Sequence, residues 1–501
     1  MTDPAAARAG TRRLVSGVVW NMLGRGLPLL VALALTPPLV SALGIERWGL
    51  FTLGLGLVGV FGVFDLGLGA ALTRTLAERI GRGERAGEGA LVASALALLL
   101  ALSVVLAAGL WLAVPALVER GLNVPATLQG EAIAGLRVLA AAAPLVVVNA
   151  ALWGVLAAHQ RFRAANLAAM PVAVLYYLGP LLVLLVWDSL AGVMLALVGA
   201  RLLNTAAYAA LIRPIVPGIA FRAVSLRAVG PLLRLGGWMS LSGVLTQVSL
   251  YADRFLIGAL LSLAAVAFYA TPLDLVMRLW ILPVAVAQAL LPALASSFRA
   301  QPAETAALLR RGVLLIAGLV LPGCVGLIVL AHPLLRLWLG LAFADGGADV
   351  LRILSVGILF SCAGFAPGSL LDAIGRPDVT ARFALALALV SVPVAVLLLL
   401  VAGIEGAAVA WSLRCAVECF GRMLLAARRY PAAAAALRRL APVLAAGGAG
   451  LAAVAAAPSV AAAAGLGSLV LVGAGLLGWR ALDAEERATL AHPRQWLRDA
   501  A

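Results

Sequence analysis

Charged side chains interrupt several long apolar runs of this 501-residue chain, and they are its clearest candidates for chemistry. A charge in the middle of a membrane costs about 2.5–3.5 kcal/mol on insertion scales, so each one needs a partner, a water-filled cavity or a function. Arginine suits phosphate or pyrophosphate groups, whereas a carboxylate can bind a proton or a sodium ion. The residues concerned are Arg25, Asp65, Arg201, Asp253, Arg254, Asp274, Arg278, Arg414 and Glu418.

Two of these sets are spaced as pairs within one helix. Asp274 and Arg278 are four residues apart, as are Arg414 and Glu418, so each pair would share one helix face. Such a pair could neutralise itself and merely let the helix insert, or it could contact a ligand. The spacing leaves both interpretations open. Arg422 extends the second of these faces by another turn.

The other charges have no partner three or four residues away in their own helix. Arg25, Asp65 and Arg201 must therefore point into a helix bundle, toward each other or toward water. An ion pair between Arg25 and Asp65 and the binding of a ligand both remain open. Asp253 and Arg254 are adjacent and face directions about 100° apart on a helix. We expect one of these two to face a cavity.

Arginine slightly outnumbers carboxylate at these positions, which favours an anionic ligand. Arginine binds phosphate or pyrophosphate in bidentate fashion, and the carboxylates could carry a coupling H+ or Na+. The chain has no Gly-x-x-x-x-Gly-Lys sequence, no Ser-His-Asp or Cys-His set, and three ungrouped histidines that fall in loops. We therefore expect no enzyme, no metal site and no cofactor.

The composition of the chain indicates what kind of protein carries these charges. Hydrophobic residues make up 64% of the chain and charged residues 12%, with a mean hydropathy of +1.08, whereas soluble domains have about a quarter of their residues charged. The runs are long enough to cross the ~30 Å hydrocarbon core. The fold class predicted is an all-α polytopic integral membrane protein. The net charge of +15 lies mostly in short loops, so we expect no nucleic-acid partner.

Hydropathy predicts about fourteen transmembrane helices. The first six lie near 14–43, 48–72, 89–113, 135–158, 165–187 and 190–212, and the next six near 230–260, 264–296, 311–331, 349–374, 380–402 and 404–427. The last two lie near 440–457 and 464–480. Arginines concentrate in the even-numbered loops, which predicts that both termini are cytoplasmic. All loops are short, which disfavours a membrane glycosyltransferase or ligase with a large external domain.

A weak internal repeat appears at an offset near 218, where Trp20 matches Trp238 and Pro115 matches Pro333. It divides the chain into an N-terminal six-span half at 1–215, a C-terminal six-span half at 216–432, an appended two-span hairpin at 433–480 and a cytoplasmic tail at 481–501. Because six is even, the halves enter the membrane in the same direction. Two parallel six-helix bundles that face a central cavity are typical of alternating-access carriers.

Several short stretches carry a family resemblance. They are Gly17-Val-Val-Trp20-Asn21, Leu43-Gly44-Ile-Glu46-Arg-Trp48-Gly49-Leu-Phe51, Phe64-Asp65-Leu-Gly67-Leu-Gly69 and Tyr251-Ala-Asp253-Arg254-Phe-Leu-Ile-Gly258. Over roughly residues 12–430 the chain resembles the polysaccharide flippases of the multidrug/oligosaccharidyl-lipid/polysaccharide exporter (MOP) superfamily. The resemblance implies a flippase that moves an undecaprenyl-pyrophosphate-linked oligosaccharide from the cytoplasmic to the periplasmic leaflet of the bacterial inner membrane, for surface polysaccharide synthesis.

The resemblance also implies roles for the buried charges. Arg25 and Arg254 are the first choices for pyrophosphate and sugar-acid contacts, and Asp65 and Asp253 for ion coupling or gating. The remaining candidates for substrate binding are Arg201, Arg278 and Arg414, and those for ion coupling are Asp274 and Glu418. The implied partners are the lipid-linked oligosaccharide, membrane lipids, H+ or Na+, and the polysaccharide polymerase and chain-length machinery.

Two rival functions within the same superfamily remain. A cation-coupled drug exporter would need acidic residues in its cavity, and Arg25 and Arg201 count against it. A flippase of the lipid-linked peptidoglycan precursor shares the fourteen-span layout. A purely structural scaffold is disfavoured by the unpaired charges in mid-span.

Overall fold

The computed structural model describes residues 4–61, 68–219, 224, 251–483 and 486–487, without the side chains of 4–28, 70 and 377. The first group of helices is α1 Pro4–Phe61, α2 Leu68–Gly81, α3 Glu88–Ala116, α4 Ala126–Ala141, α5 Ala143–Ala158, α6 Phe162–Leu184, α7 Leu190–Ile212 and α8 at 251–260. The second group is α9 Leu263–Met277, α10 Ile281–Ser297, α11 Pro302–Val329, α12 Ala331–Leu339, α13 Leu341–Ala363, α14 Phe365–Ala373, α15 Pro377–Arg429, α16 Ala434–Ala455 and α17 Val460–Ala481.

The predicted all-α polytopic fold is confirmed. Within the described ranges there is no strand, and eleven stretches are long and apolar enough to cross a membrane. Two of the helices each cover more than one predicted span. Helix α1 covers the first predicted span and most of the second, with a break at Gly44 where φ is 75°, and α15 covers the eleventh and twelfth, with a break at Ala402 and Gly403. The seventh predicted span lies mostly outside the described residues.

The chain forms two compact units, residues 1–267 and 268–501. The predicted halves at 1–215 and 216–432 remain a prediction, as do the hairpin and tail boundaries. In the first unit, one end of the bundle is held by an apolar cluster from α2, α3, α5 and α7 that includes Leu72, Val92, Val155 and Ile212. This cluster fixes the ends of helices whose middles carry the polar residues described below.

Glycines on α1 let α8 and the first residue of α9 pack closely against it within the first unit. A Cβ atom at Gly59 would lie 2.4 Å from the Tyr251 ring, and one at Gly49 would lie 1.9 Å from the backbone oxygen of Leu263. Both are far below an ordinary van der Waals contact. The small residues are therefore needed for the close approach of the two backbones.

Gly49→Ala is expected to destabilise the protein, because the added methyl group meets backbone that cannot move away cheaply. Overpacking of this kind costs about 1–3 kcal/mol, and the thermal midpoint in detergent should fall. Gly109→Ala on α3 is the matched control, since a Cβ there meets no atom within 4 Å and alanine favours a helix interior. Equal midpoints for the two variants would contradict the packing of α1 against the start of α9.

In the second unit, the hairpin of α16 and α17 packs against α11 and α13. Small residues again mark the contact: Gly448 of α16 faces the Phe360 ring, and Gly467 of α17 faces Val325. The hairpin is thus an integral part of the packing of this unit.

An ion network ties the end of α17 to the rest of the second unit. Glu486 accepts hydrogen bonds from Arg310 and Arg311 at the start of α11, at 3.0 and 2.7 Å from their Nε atoms. Asp483 contacts Arg310 at 2.5 Å and Arg439 of α16 at 3.1 Å. The side chains of Arg310 and Glu486 are 6% and 5% exposed, so the centre of the network is closed to water.

Candidate functional site

A polar cluster lies in the membrane-spanning part of the first unit. We define it as Asn149 of α5, Tyr176 of α6, and Arg201, Asn204 and Thr205 of α7. The Asn149 side chain donates to Thr205 Oγ1 at 3.3 Å and accepts from the Asn204 amide at 3.4 Å. The Arg201 guanidinium lies 5.8 Å from the centre of the Tyr176 ring. Three helices therefore meet at these five side chains.

Helical periodicity explains why α7 supplies most of the cluster. Arg201, Asn204, Thr205 and Tyr208 are at positions i, i+3, i+4 and i+7, which form one stripe on a helix. Leu202 and Leu203, on other faces, are exposed. The stripe turns inward because polar groups in hydrocarbon must find partners.

Arg201 is the member of the cluster best placed to bind an anion. Its side chain is half-buried, and its Nε atom has no hydrogen-bond partner among the described residues. Aromatic stacking holds the guanidinium plane without using its donors. The remaining N–H groups could bind a phosphate or carboxylate in bidentate fashion.

Arg254 of α8 has a different setting from Arg201. It is 4% exposed, donates to the backbone oxygen of Thr52 at 3.5 Å, and lies 5.4 Å from the Tyr251 ring centre. Its neighbour Asp253 is half-buried. The two adjacent charges thus face different surroundings, as their 100° separation predicts.

In the second unit, the predicted pair of Arg414 and Glu418 forms within α15. Arg414 contacts Glu418 at 3.5 Å, and Arg422, one turn further, contacts the other oxygen of the same carboxylate. Arg422 also donates to the backbone oxygen of Gly364 at 3.5 Å. Two arginines share one carboxylate, so this half-buried stripe keeps a net positive charge.

The other predicted pair is not brought together. Asp274 is half-buried on α9, whereas Arg278 is exposed in the short 3-10 turn Arg278–Trp280 that follows it. The structure records no ion pair between these two described residues. The tighter winding at Arg278 changes the angle between positions 274 and 278, so the i,i+4 alignment of a regular α-helix is lost.

Two candidates cannot be placed. Arg25 lies on α1, but its side chain is outside the described part of the structure, and Asp65 falls in the undescribed stretch 62–67. The proposed ion pair between them stays a prediction. No group of three His, Cys, Asp or Glu side chains that could hold a metal is found among the described residues.

An apolar cavity of about 1290 Å3 occupies the second unit between α10, α11, α16 and α17. Its lining is hydrocarbon from residues such as Leu315, Val443 and Leu471. Among the described residues, the ionisable side chains that line it are Arg311 and Glu486 of the ion network. The cavity can therefore accept an apolar chain, while the charged candidate residues lie elsewhere.

Some residues of the polar cluster do not stand out in the sequence. Asn149, Asn204 and Thr205 are uncharged, so a search for buried charge passes over them. The signal that could have found them is the polar stripe on α7 and a single asparagine in the apolar run of α5. The spacing places Arg422 on the same helix face as Arg414 and Glu418. It does not show that Arg422 is a second partner of the Glu418 carboxylate.

The geometry matches known membrane transporters. The inward-facing structure of a multidrug resistance MATE family transporter of the MOP superfamily superimposes with a TM-score of 0.70, at 18% identity, over 83% of this chain and 98% of that one. The inward closed structure of lipid II flippase MurJ gives 0.70 at 13% identity, over 93% and 99%. At these identities the likeness establishes the fold.

Sequence comparison establishes the family. A putative O-antigen transporter of Shigella flexneri is 25% identical over 418 residues, which are 80% of this chain and 94% of that protein. The family model described as polysaccharide biosynthesis protein matches residues 14–298, more than half of the chain. The predicted resemblance is confirmed: the chain belongs to the polysaccharide biosynthesis protein family and has the fold of the MOP superfamily transporters.

Proposed function

We propose that this protein is a flippase that moves an undecaprenyl-pyrophosphate-linked oligosaccharide from the cytoplasmic to the periplasmic leaflet. The observation that carries the proposal is its membership of the polysaccharide biosynthesis family, with a putative O-antigen transporter matched over 94% of its length. Both termini lie in the cytoplasm of a bacterium and the spans cross its inner membrane. Alternating access, driven by H+ or Na+ or by the membrane potential, moves the substrate for surface polysaccharide synthesis.

The charged residues support an anionic substrate. Arg201 in the first unit and the Arg414–Glu418–Arg422 stripe in the second unit each place net positive charge within a membrane-spanning helix. Pyrophosphate is an anion that guanidinium groups bind in bidentate fashion. We assign Arg201 and Arg414 to substrate contact, together with Arg25 and Arg278, and assign Arg254 to the same step through its position against α1.

The carboxylates supply candidates for ion coupling, which are Asp65, Asp253, Asp274 and Glu418. Glu418 is held between two arginines, so it acts in gating through those contacts. Asp253 and Asp274 are half-buried and are the better candidates for binding H+ or Na+. The polysaccharide polymerase and chain-length machinery would receive the product.

A second candidate is transport of the lipid-linked peptidoglycan precursor. The observation that favours it is the match to lipid II flippase MurJ over 93% of this chain, against 83% for the MATE transporter. Drug export is less well supported, because cationic drugs need acidic side chains and the buried charges described above are mainly arginines.

Deletion of the gene is expected to cause undecaprenyl-linked oligosaccharide to accumulate and surface polysaccharide to be lost. The blocked intermediate stays on its carrier when it cannot cross the membrane. Lipid extraction and mass spectrometry, with and without a plasmid copy, measure the accumulation. Intact surface polysaccharide with no accumulated intermediate would overturn the proposal, and accumulation of the peptidoglycan precursor would support the second candidate instead.

A further inference from the structure

The apolar cavity of the second unit has a size and lining that suit a lipid. None of the residues assigned to transport above is among its described lining residues, and its volume of about 1290 Å3 exceeds the about 300–1,000 Å3 of ordinary ligand pockets. A Cβ atom at the lining residues Gly318 of α11 and Gly475 of α17 would meet no described atom within 4 Å. Apolar side chains around such a space gain dispersion contacts when hydrocarbon fills it.

One end of the cavity is positively charged. Arg311 and Glu486 line it there, and their ion network continues to Arg310, Arg439 and Asp483. Three arginines against two carboxylates leave this end with a net positive charge. Arg311 donates to Glu486 from Nε at 2.7 Å and is 58% exposed, while its two terminal nitrogens have no hydrogen-bond partner among the described residues. These two nitrogens can bind a phosphate group in bidentate fashion.

From this charged end, the cavity is about as long as one leaflet of a bilayer is thick. Its lining extends from Arg311 to Pro322 on α11 and from Leu471 to Leu482 on α17, and each stretch rises about 17 Å. Half of the ~30 Å hydrocarbon core is about 15 Å. Phospholipid acyl chains occupy one leaflet, whereas an extended undecaprenyl chain is much longer. The length therefore favours acyl chains.

The charge lies at one membrane face, which favours a lipid that stays in one leaflet. The other described lining residues are all Ala, Val, Leu, Gly or Pro, so the far end offers a headgroup no charged contact. A lipid that crosses the membrane needs contacts for its headgroup along the whole path. In the topology proposed above the charged end faces the cytoplasm, and basic pockets between spans on that side bind the headgroups of anionic lipids.

We propose that this cavity is a binding site for one anionic phospholipid of the cytoplasmic leaflet, with its acyl chains between α10, α11, α16 and α17 and its phosphate on Arg311. The bound lipid completes the packing of the hairpin of α16 and α17 against α11. It is a resident lipid and not the transported one. The site therefore stands independently of the flippase proposal, and only the choice of leaflet follows from the proposed topology.

Leucine at a lining glycine fills the cavity from within. Gly475→Leu and Gly318→Leu each place a side chain where an added Cβ meets no described atom, and leucine favours a helix more than glycine does, so both variants should fold. Gly473→Leu is the matched control on α17. An added Cβ there also meets no described atom within 4 Å, but Gly473 lies about 200° around the helix from Gly475 and does not line the cavity.

Native mass spectrometry of the purified full-length protein, titrated in detergent with phosphatidylglycerol, measures the binding. We expect one tightly bound phosphatidylglycerol per chain, and about fivefold weaker binding of the zwitterionic phosphatidylcholine, because the charged end then loses its ionic contact. Gly475→Leu and Gly318→Leu should bind phosphatidylglycerol about tenfold more weakly, because leucine displaces part of the acyl chains. Gly473→Leu should bind it as the wild type does.

Equal affinity of the wild type and both cavity variants for phosphatidylglycerol would overturn the proposal, as would equal affinity of the wild type for the two phospholipids. Displacement of phosphatidylglycerol by an equimolar amount of undecaprenyl phosphate would also overturn it, and would assign the cavity to the carrier lipid. No oligosaccharide is present and no transport is measured. Failure of this experiment would therefore leave the flippase proposal standing, and failure of the deletion experiment would leave this site standing.

Discussion

Glu486→Ala is expected to destabilise the protein by about 3–5 kcal/mol, because it removes the main partner of a buried arginine. Glu486 accepts hydrogen bonds from the Nε atoms of Arg310 and Arg311 and from the backbone N–H of Asp483. A second nitrogen of Arg310 lies 2.7 Å from the same carboxylate. Without it, Arg310 keeps Asp483 alone while its side chain stays 6% exposed. The thermal midpoint of the purified protein in detergent measures the loss.

The pH dependence of the same network has a definite sign. Burial raises the pKa of Glu486, but hydrogen bonds from the Asp483 backbone and from Arg311 and Arg310 outweigh it, and the pKa is lowered from the ordinary value of 4.5. A lowered pKa means that the ionised carboxylate stabilises the folded state above pH 4.5. This contribution is lost as the pH falls below that value, and Glu486→Ala should lack this part of the acid sensitivity.

Arg439→Ala is the matched control within the same network. Arg439 and Asp483 are 60% and 51% exposed, and exposed ion pairs contribute about 0–1 kcal/mol. This variant should melt close to the wild type. If the thermal midpoint of Glu486→Ala were also close to that of the wild type, the network would not hold the end of α17 against α11. The ionisable residues that line the apolar cavity would then have no structural role.

The fold could be predicted from the sequence to the extent that hydropathy determines it. Apolar runs locate the spans, because only helices satisfy their own backbone in hydrocarbon. The positions of two breaks inside spans were not predicted. Helices α4 and α5 meet at Ala142, and α13 and α14 meet at Gly364. Hydropathy cannot distinguish a bent span from a straight one.

In the candidate site, contacts between residues close in sequence could be predicted, whereas contacts between different helices could not. The pair of Arg414 and Glu418 was predicted because i,i+4 spacing is visible in the sequence. His159 lies in the turn after α5, as its interpretation as a loop residue predicts, but its contact with Glu88 of α3 is not visible in the sequence. The contacts of Asn149 with Asn204 and Thr205 also join different helices, and a single sequence contains no signal for which helices are neighbours.

Arg201→Met is expected to reduce transport by about 10- to 100-fold, with little loss of stability. A hydrogen bond to a charged group contributes about 1.5–3 kcal/mol, and each 1.4 kcal/mol is a factor of ten. Methionine keeps the apolar length of the side chain and removes a half-buried cation, so the thermal midpoint should stay level or rise. Complementation of the deletion strain and the amount of accumulated lipid-linked intermediate measure transport.

Arg137→Met is the control that distinguishes an arginine in contact with the substrate from one with only a structural role. Arg137 of α4 is half-buried, its guanidinium lies 5.3 Å from the Trp111 ring centre, and its Nε atom has no hydrogen-bond partner among the described residues. It thus shares the local setting of Arg201 but lies outside the polar cluster, and its replacement should leave transport near the wild-type level. Equal losses in both variants would show that any buried arginine matters. Full transport in Arg201→Met would remove the polar cluster from the substrate path, because no other cation belongs to it.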